Sequence, residues 1–229
     1  NIGIAQNYAF EYQQSDWLVE DMFDFGSNSA PALADVNADG LLDIVVGNRS
    51  FYINSFDKDP RLFLLENTGT ATEPIFTLAN DNWLNFQQFE NYTTDFSPTF
   101  GDLDGDGDED LLVGEKFGSL LFVENHGGAG NPMDFNIITH HWLDIDIGQA
   151  ATPQIADLNR DSLPDLLIGG RNGKLAFFPN QGTFSNPQFH PEPDEAPNNP
   201  AFGDIETIEP GEFTGYSFPF ILDLDSSFF

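Results

Sequence analysis

Cysteine is absent from this 229-residue chain, which excludes a disulfide framework, a thiolate zinc site and thiol catalysis. Basic residues are scarce as well: seven Lys plus Arg face 38 Asp plus Glu, for a formal net charge of −31. So acidic a surface repels phosphate, and neither nucleic acid nor an anionic membrane surface is expected as a partner. No run of 18 or more apolar residues occurs, so no membrane insertion by a helix is expected. Asn1 to Phe10 lack a basic start and a cleavable apolar run; if the protein is exported, the signal sequence lies upstream of the given chain. Also missing are the Gly-x-Ser-x-Gly elbow, the phosphate-binding Walker loop and the His-Glu-x-x-His zinc motif, which removes the common sequence signatures of catalysis. No catalytic residue and no cofactor-binding residue other than metal ligands is singled out.

What is present is a repeat. Hydrophobic residues make up 40% of the chain, enough for a packed core, and Phe alone accounts for 24 residues, a balance that suits strands better than long helices. Three blocks align: Asp35 to Gly47, Asp102 to Gly114 and Asp157 to Gly169, and a fourth opens at Asp223 and Asp225. Their first aspartates are 67, 55 and 66 residues apart, and a proline (Pro31, Pro98, Pro153, Pro219) stands four residues before each. Downstream, a Leu/Phe-rich run ends at Asn67, Asn125 and Asn180, with Gly69, Gly127 and Gly182 two residues on. A Phe then precedes a Trp by seven residues at Phe76/Trp83 and Phe135/Trp142, a spacing also seen at Phe10/Trp17. The surplus length of the first unit falls in Arg49 to Pro60 and that of the third in His190 to Pro200, both read as loops.

Each unit reads as four short strands: one ending at the first aspartate, one following the last, the Leu/Phe run, and one around the Phe. No segment sustains a helical period. Four strands per unit is the arithmetic of a blade, so the fold class expected is all-β, a β-propeller of four-stranded antiparallel blades, as a partial ring or a segment of a larger six- to eight-bladed propeller. A parallel β-helix would need shorter coils. The expected divisions are 1–28 (end of a preceding blade), 29–95, 96–150 and 151–215 (one acidic loop each) and 216–229 (start of the next). Further blades or a partner chain are expected to cover the exposed edges.

The acidic loops follow Asp-x-Asp/Asn-x-Asp-Gly-x-x-Asp. Alternate positions of a tight loop point at one centre, and position 7 adds its backbone carbonyl. The expected ligands are Asp35, Asn37, Asp39, Leu41 and Asp43 in the first loop; Asp102, Asp104, Asp106, Asp108 and Asp110 in the second; and Asp157, Asn159, Asp161, Leu163 and Asp165 in the third, with Leu41, Asp108 and Leu163 acting through their carbonyls. Five or six hard oxygens suit Ca²⁺ better than Mg²⁺. The second loop carries four ligand carboxylates against three in each of the others, which ranks it tightest. The third, with Ser162 where Gly40 and Gly107 stand, ranks weakest. The fourth is doubtful, because Ser227 replaces the acid at position 5 and position 9 is not in the chain. The ion is expected to staple a hairpin rather than do chemistry.

This core, followed by Gly-x-Leu-x-x-x-Glu-Asn-x-Gly, resembles the FG-GAP/VCBS repeats of integrin-α-like propellers, over roughly residues 7 to 225. The resemblance implies calcium at the ligands just named. The Glu-Asn-x-Gly phrase with Pro74 and Phe76 is similar to large exported surface proteins of bacteria, many of them adhesins or substrates of type IX secretion. The function expected is a non-catalytic, calcium-stabilised module of a secreted or cell-surface protein, binding a protein or glycan ligand or another subunit of a surface complex. The alternative is the propeller part of an extracellular polysaccharide lyase or hydrolase, and a passive spacer is a third reading. Trp17, Trp83 and Trp142, at one repeat position, are read as packing between blades in preference to stacking on sugar. His140 and His141 are read as a solvated loop or strand edge.

Overall fold

The computed structural model describes residues 23–50, 59–209, 211–212 and 214–221. Phe10/Trp17, most of the Arg49–Pro60 insert and the loop at Asp223, Asp225 and Ser227 lie outside them. Residues 25–219 form one unit. It is built from three antiparallel sheets. The first has the order β1 (Ala30–Ala34), β2 (Asp43–Gly47), β3 (Leu62–Asn67), β4 (Phe76–Asn80). The second has β5 (Ser97–Gly101), β6 (Asp110–Gly114), β7 (Leu120–Asn125), β8 (Phe135–His140). The third contains β9 (Thr152–Ala156), β10 (Asp165–Gly169) and β11 (Leu175–Phe178). The fold is all-β, and its four-stranded meanders are consistent with propeller blades.

Register follows the repeat. Ala34 pairs with Asp43, Gly101 with Asp110 and Ala156 with Asp165, so each acidic loop is the turn joining the first two strands of its sheet. At the far end of the second strand, Gly47, Gly114 and Gly169 approach the next unit so closely that a Cβ would lie 2.2 Å from the carbonyl oxygens of Phe96, Ala151 and Ser217 respectively. The next contacts include the Cδ of Pro98, Pro153 and Pro219. The recurring Gly and Pro of the sequence are therefore two halves of one contact between neighbouring units. Ser217 and Pro219 make it with the third sheet, where Ser217 also hydrogen-bonds Gly170 and Thr152.

The two middle strands of the second sheet, β6 and β7, are buried on both faces, which explains why they read as largely apolar runs. Leu111, Val113, Leu121 and Val123 join the core shared with the first sheet, beside Val45, Leu62, Leu64 and Phe96. Leu112 and Leu120 point the other way, to Leu166, Ile168 and Phe178 of the third. Trp83 and Trp142 lie in short 3-10 turns after β4 and β8 and are buried. Trp83 packs on Phe100 and Phe135 of the second sheet, and Trp142 lies between Phe122 and Phe189. Their role is packing between sheets.

One expectation changes. Among the described residues the third sheet has no fourth strand around Phe189. Pro187, Pro191 and Pro193 crowd this stretch and cannot donate to a ladder. The edge of β11 is met instead by Asn199 of the long loop, which exchanges two backbone hydrogen bonds with Phe177 (2.8 and 3.0 Å). The histidine pair lies exposed at a strand edge, as expected. His140 ends β8, while His141 is left-handed (φ 49°), and the rings meet edge to face at 5.6 Å.

Candidate metal centre

The three loops share one backbone cradle. The aspartate at position 1 accepts from N–H groups farther round its loop: Asp35 from Asp39 and Gly40, Asp102 from Gly105 and Gly107, Asp157 from Arg160, Asp161 and Ser162, all at 2.7–3.1 Å. Position 3 (Asn37, Asp104, Asn159) accepts from the N–H of position 5. Position 5 (Asp39, Asp106, Asp161) accepts from the N–H of Leu41, Asp108 and Leu163. Each such Asx turn leaves the second oxygen or lone pair of its side chain directed away from the backbone.

Position 9 is held differently. Asp43, Asp110 and Asp165 are fully buried. One oxygen of each accepts from the loop's second residue (Val36, Leu103, Leu158), and the other from the Asn that closes the third strand (Asn67, Asn125, Asn180), at 2.8–3.1 Å. The Asn side-chain oxygen in turn accepts from the N–H of Gly69, Gly127 or Gly182 and from one residue beyond the turn. The last aspartate thus ties three strands together by hydrogen bonds of its own.

In the second loop the structure brings Asp102, Asp104 and Asp106 together, with one oxygen from each within 4.8 Å of the others. This is the one group of three acids so placed among the described residues, and it could hold a metal ion. Asp110 is not a member of it. Two further acids lie close by. Asp108, placed by sequence for its carbonyl, also carries a buried carboxylate near enough to Asp104 and Asp106 to be repelled by them. Its Oδ2 accepts from Gly128 N–H at 2.6 Å, while its Oδ1 has no hydrogen-bond partner among the described residues. Glu124 sits near enough to repel Asp104. Leu41 and Leu163 occupy the place of Asp108 in the other loops, so a comparison of position 7 was the signal for it.

The electrostatics run against charge in the absence of a cation. Burial, then repulsion from Asp106, Glu124 and Asp102, raises the Asp104 carboxyl above its ordinary value, with the Asp106 N–H opposing. Burial chiefly, with repulsion from Asp104 and Asp108, pushes Asp110 up to about 7 despite its two backbone donors. Asp43, Asp108 and Asp165 are also raised, chiefly by burial. An all-oxygen donor set, a buried oxygen without a partner and carboxyls held above their usual range fit a hard divalent cation.

Backbone conformation ranks the loops independently of charge. Positions 4 and 6 are left-handed in all three: Ala38 and Gly40, Gly105 and Gly107, Arg160 and Ser162. A left-handed residue with a side chain costs about 1 kcal/mol. The second loop has two glycines there, the first one and the third none. The third is further weakened because the Asn159 amide donates to Asp161 (2.9 Å). Ser162 (φ 68°) can be relieved directly. Ser162→Gly is expected to stabilise the protein by about 1 kcal/mol, raising its melting midpoint by about 2–4 °C in calcium. An unchanged or lower midpoint would show that the turn is unstrained.

Among the described residues no helix is long and apolar enough to cross a membrane. The family model for the FG-GAP-like repeat matches residues 35–113, and that for the FG-GAP repeat matches residues 96–131. The matched stretch contains the first two acidic loops, strands β2 to β7 and the Gly–Pro contact between the first two sheets. On these matches, residues 35–131 of the chain are similar to FG-GAP repeats.

Proposed function

We propose that this chain is a non-catalytic, calcium-stabilised segment of a β-propeller, secreted or displayed at a cell surface, which presents its loops to a protein or glycan partner. The observation that carries the reading is the threefold recurrence of the same oxygen-lined turn, with Asp102, Asp104 and Asp106 converging in the second copy and Asp108, which carries a partnerless buried oxygen, close by. Asp102, Asp104 and Asp106 would hold the ion by side-chain oxygens and Asp108 by its carbonyl, with the corresponding residues of the other two loops doing the same. Asp110, Asp43 and Asp165 can add a lone pair not used by the backbone. The ion supplies charge compensation for carboxylates that burial and repulsion otherwise penalise. FG-GAP repeats occur in extracellular proteins, and there calcium stands near ~1 mM, enough to fill sites of ~10⁻⁵ M.

Calcium titration by calorimetry of chelator-treated protein tests the metal directly. Binding at the three loops is expected, the tightest step belonging to the second. Asp106→Asn keeps the acceptor for the Asp108 N–H and removes one ligand charge; it is expected to weaken the tightest step about tenfold or more while leaving the others in place. No heat of binding at millimolar calcium, or an unaltered tightest step in Asp106→Asn, would overturn the assignment.

A further inference from the structure

The second strand of every sheet is followed, two residues after its closing glycine, by a cation: Arg49, Lys116 and Arg171. These are three of the seven basic residues in the chain. The backbone fixes them equivalently, because their N–H groups donate to the carbonyls of Ser27, Thr94 and Gln149 at 2.9 Å. Each of those carbonyls precedes the first strand of its own sheet by three residues. Three repeats therefore deliver three positive side chains to one place.

That place is a cavity of ≈ 440 Å³ lined from all three sheets and from the chain that follows them. It lies at the starting ends of β1, β5 and β9, whereas the acidic loops lie at their finishing ends. Asp95 is the single carboxylate in the lining, so the cavity is net positive within a protein of charge −31. Asp95 accepts from Arg49 Nε at 2.8 Å. Arg171 donates to the Gln149 side chain at 2.9 Å and lies 6.0 Å from the centre of the Tyr216 ring, and Lys116 Nζ lies 5.2 Å from that of Phe117. Phe117, Tyr216 and Phe218 are 54%, 53% and 62% exposed, so aromatic faces are open beside the charges.

We propose that this cavity binds an acidic saccharide, a sugar bearing a carboxylate or a sulfate group. Its volume is in the range of small-ligand sites, roughly 300–1,000 Å³. Guanidinium and ammonium groups take the oxyanion by charge-assisted hydrogen bonds. The open rings of Phe117, Tyr216 and Phe218 offer the flat apolar faces on which a pyranose packs, and the Asn28 and Gln149 amides, also in the lining, match its hydroxyls. The overall acidity repels a polyanion everywhere else, so the site selects for an anion presented at a chain end or on a single ring. This deepens the binding role proposed above and rests on it.

The test is titration calorimetry of the full chain in about 1 mM calcium and low salt. The probes are trigalacturonate, its fully methyl-esterified form, galactose 6-sulfate and triglutamate. Trigalacturonate or galactose 6-sulfate is expected to bind, and which of the two does so identifies the anion. The ester is expected to bind at least about tenfold more weakly than the free acid. Lys116→Gln and Arg171→Gln are each expected to weaken binding of the acidic sugar about tenfold, and 0.5 M salt several-fold. Binding of neither acidic sugar at about 10 mM, equal binding by both variants, or triglutamate binding at least as tightly would overturn the inference. Both variants are expected to melt like the parent in calcium and to respond to chelation as it does. Loss of that calcium response belongs to the metal reading, and loss of sugar binding alone belongs to this one.

Discussion

Chelation with excess EGTA is expected to lower the melting midpoint of this protein by about 15–30 °C. If each loop binds calcium with a dissociation constant of ~10⁻⁵ M, ~1 mM calcium contributes about 2.7 kcal/mol per site, or about 8 kcal/mol for three. In a domain of this size 1 kcal/mol moves the midpoint by about 2–4 °C. Since the whole stability of a typical domain is about 5–15 kcal/mol, the calcium-free chain should retain little of its own. The direction is fixed by the burial and repulsion that raise Asp104, Asp108 and Asp110 in the cation-free loop. Without the ion, the fold must either protonate these groups or carry their mutual repulsion. Magnesium at the same concentration should restore only a small part, because it demands octahedral geometry and gives up its water reluctantly. Scanning calorimetry with and without EGTA decides it: midpoints within 2 °C of each other would mean that the hydrogen-bonded cradles hold these turns unaided.

The repeat made most of this fold readable. Strands fall where Pro31, Pro98 and Pro153 and the flanking aspartates place them, because those residues are fixed by contacts that recur in each unit: proline against the neighbour's glycine, the last aspartate against two backbone N–H groups. Part of what escaped is what one unit does alone. Phe189 follows Asn180 at the spacing by which Phe76 follows Asn67, but the prolines around it deny its backbone a ladder. Ala38 and Arg160 carry nothing in their side chains to announce a left-handed conformation, and only Gly105 hints at it. Within the acidic loops, spacing alone could not separate the cluster of Asp102, Asp104 and Asp106 from Asp110, which is fully buried beneath its backbone donors. Arg49, Lys116 and Arg171 keep register with the repeat, yet each reads as a lone surface charge until the sheets bring them to one cavity.

Gly114→Ala should cost about 3–5 kcal/mol, more than any single change in an acidic loop apart from loss of its metal. The reason is space. No positive φ is involved at Gly114; an added Cβ would stand 2.2 Å from the Ala151 carbonyl oxygen, 2.6 Å from its carbon and 2.6 Å from Pro153 Cδ. Two of these atoms are backbone and the third belongs to a rigid ring, so no rotamer change relieves the overlap. The third sheet would have to move away from the second by about 1 Å. That movement loosens the shared core of Leu103, Leu112, Leu166 and Ile168, which is close-packed and tolerates little separation. It also stretches the 3.0 Å hydrogen bond from Ala151 N–H to Glu115. Gly130→Ala is the control: Gly130 is left-handed (φ 74°) with nothing within 4 Å of its added Cβ, and should cost about 1 kcal/mol from backbone strain alone. Urea unfolding followed by circular dichroism in calcium compares the two. A Gly114→Ala protein no less stable than Gly130→Ala would mean that neighbouring sheets slide freely. The angle between them would then be set by something other than the Gly–Pro contact that recurs at Gly47 and Gly169.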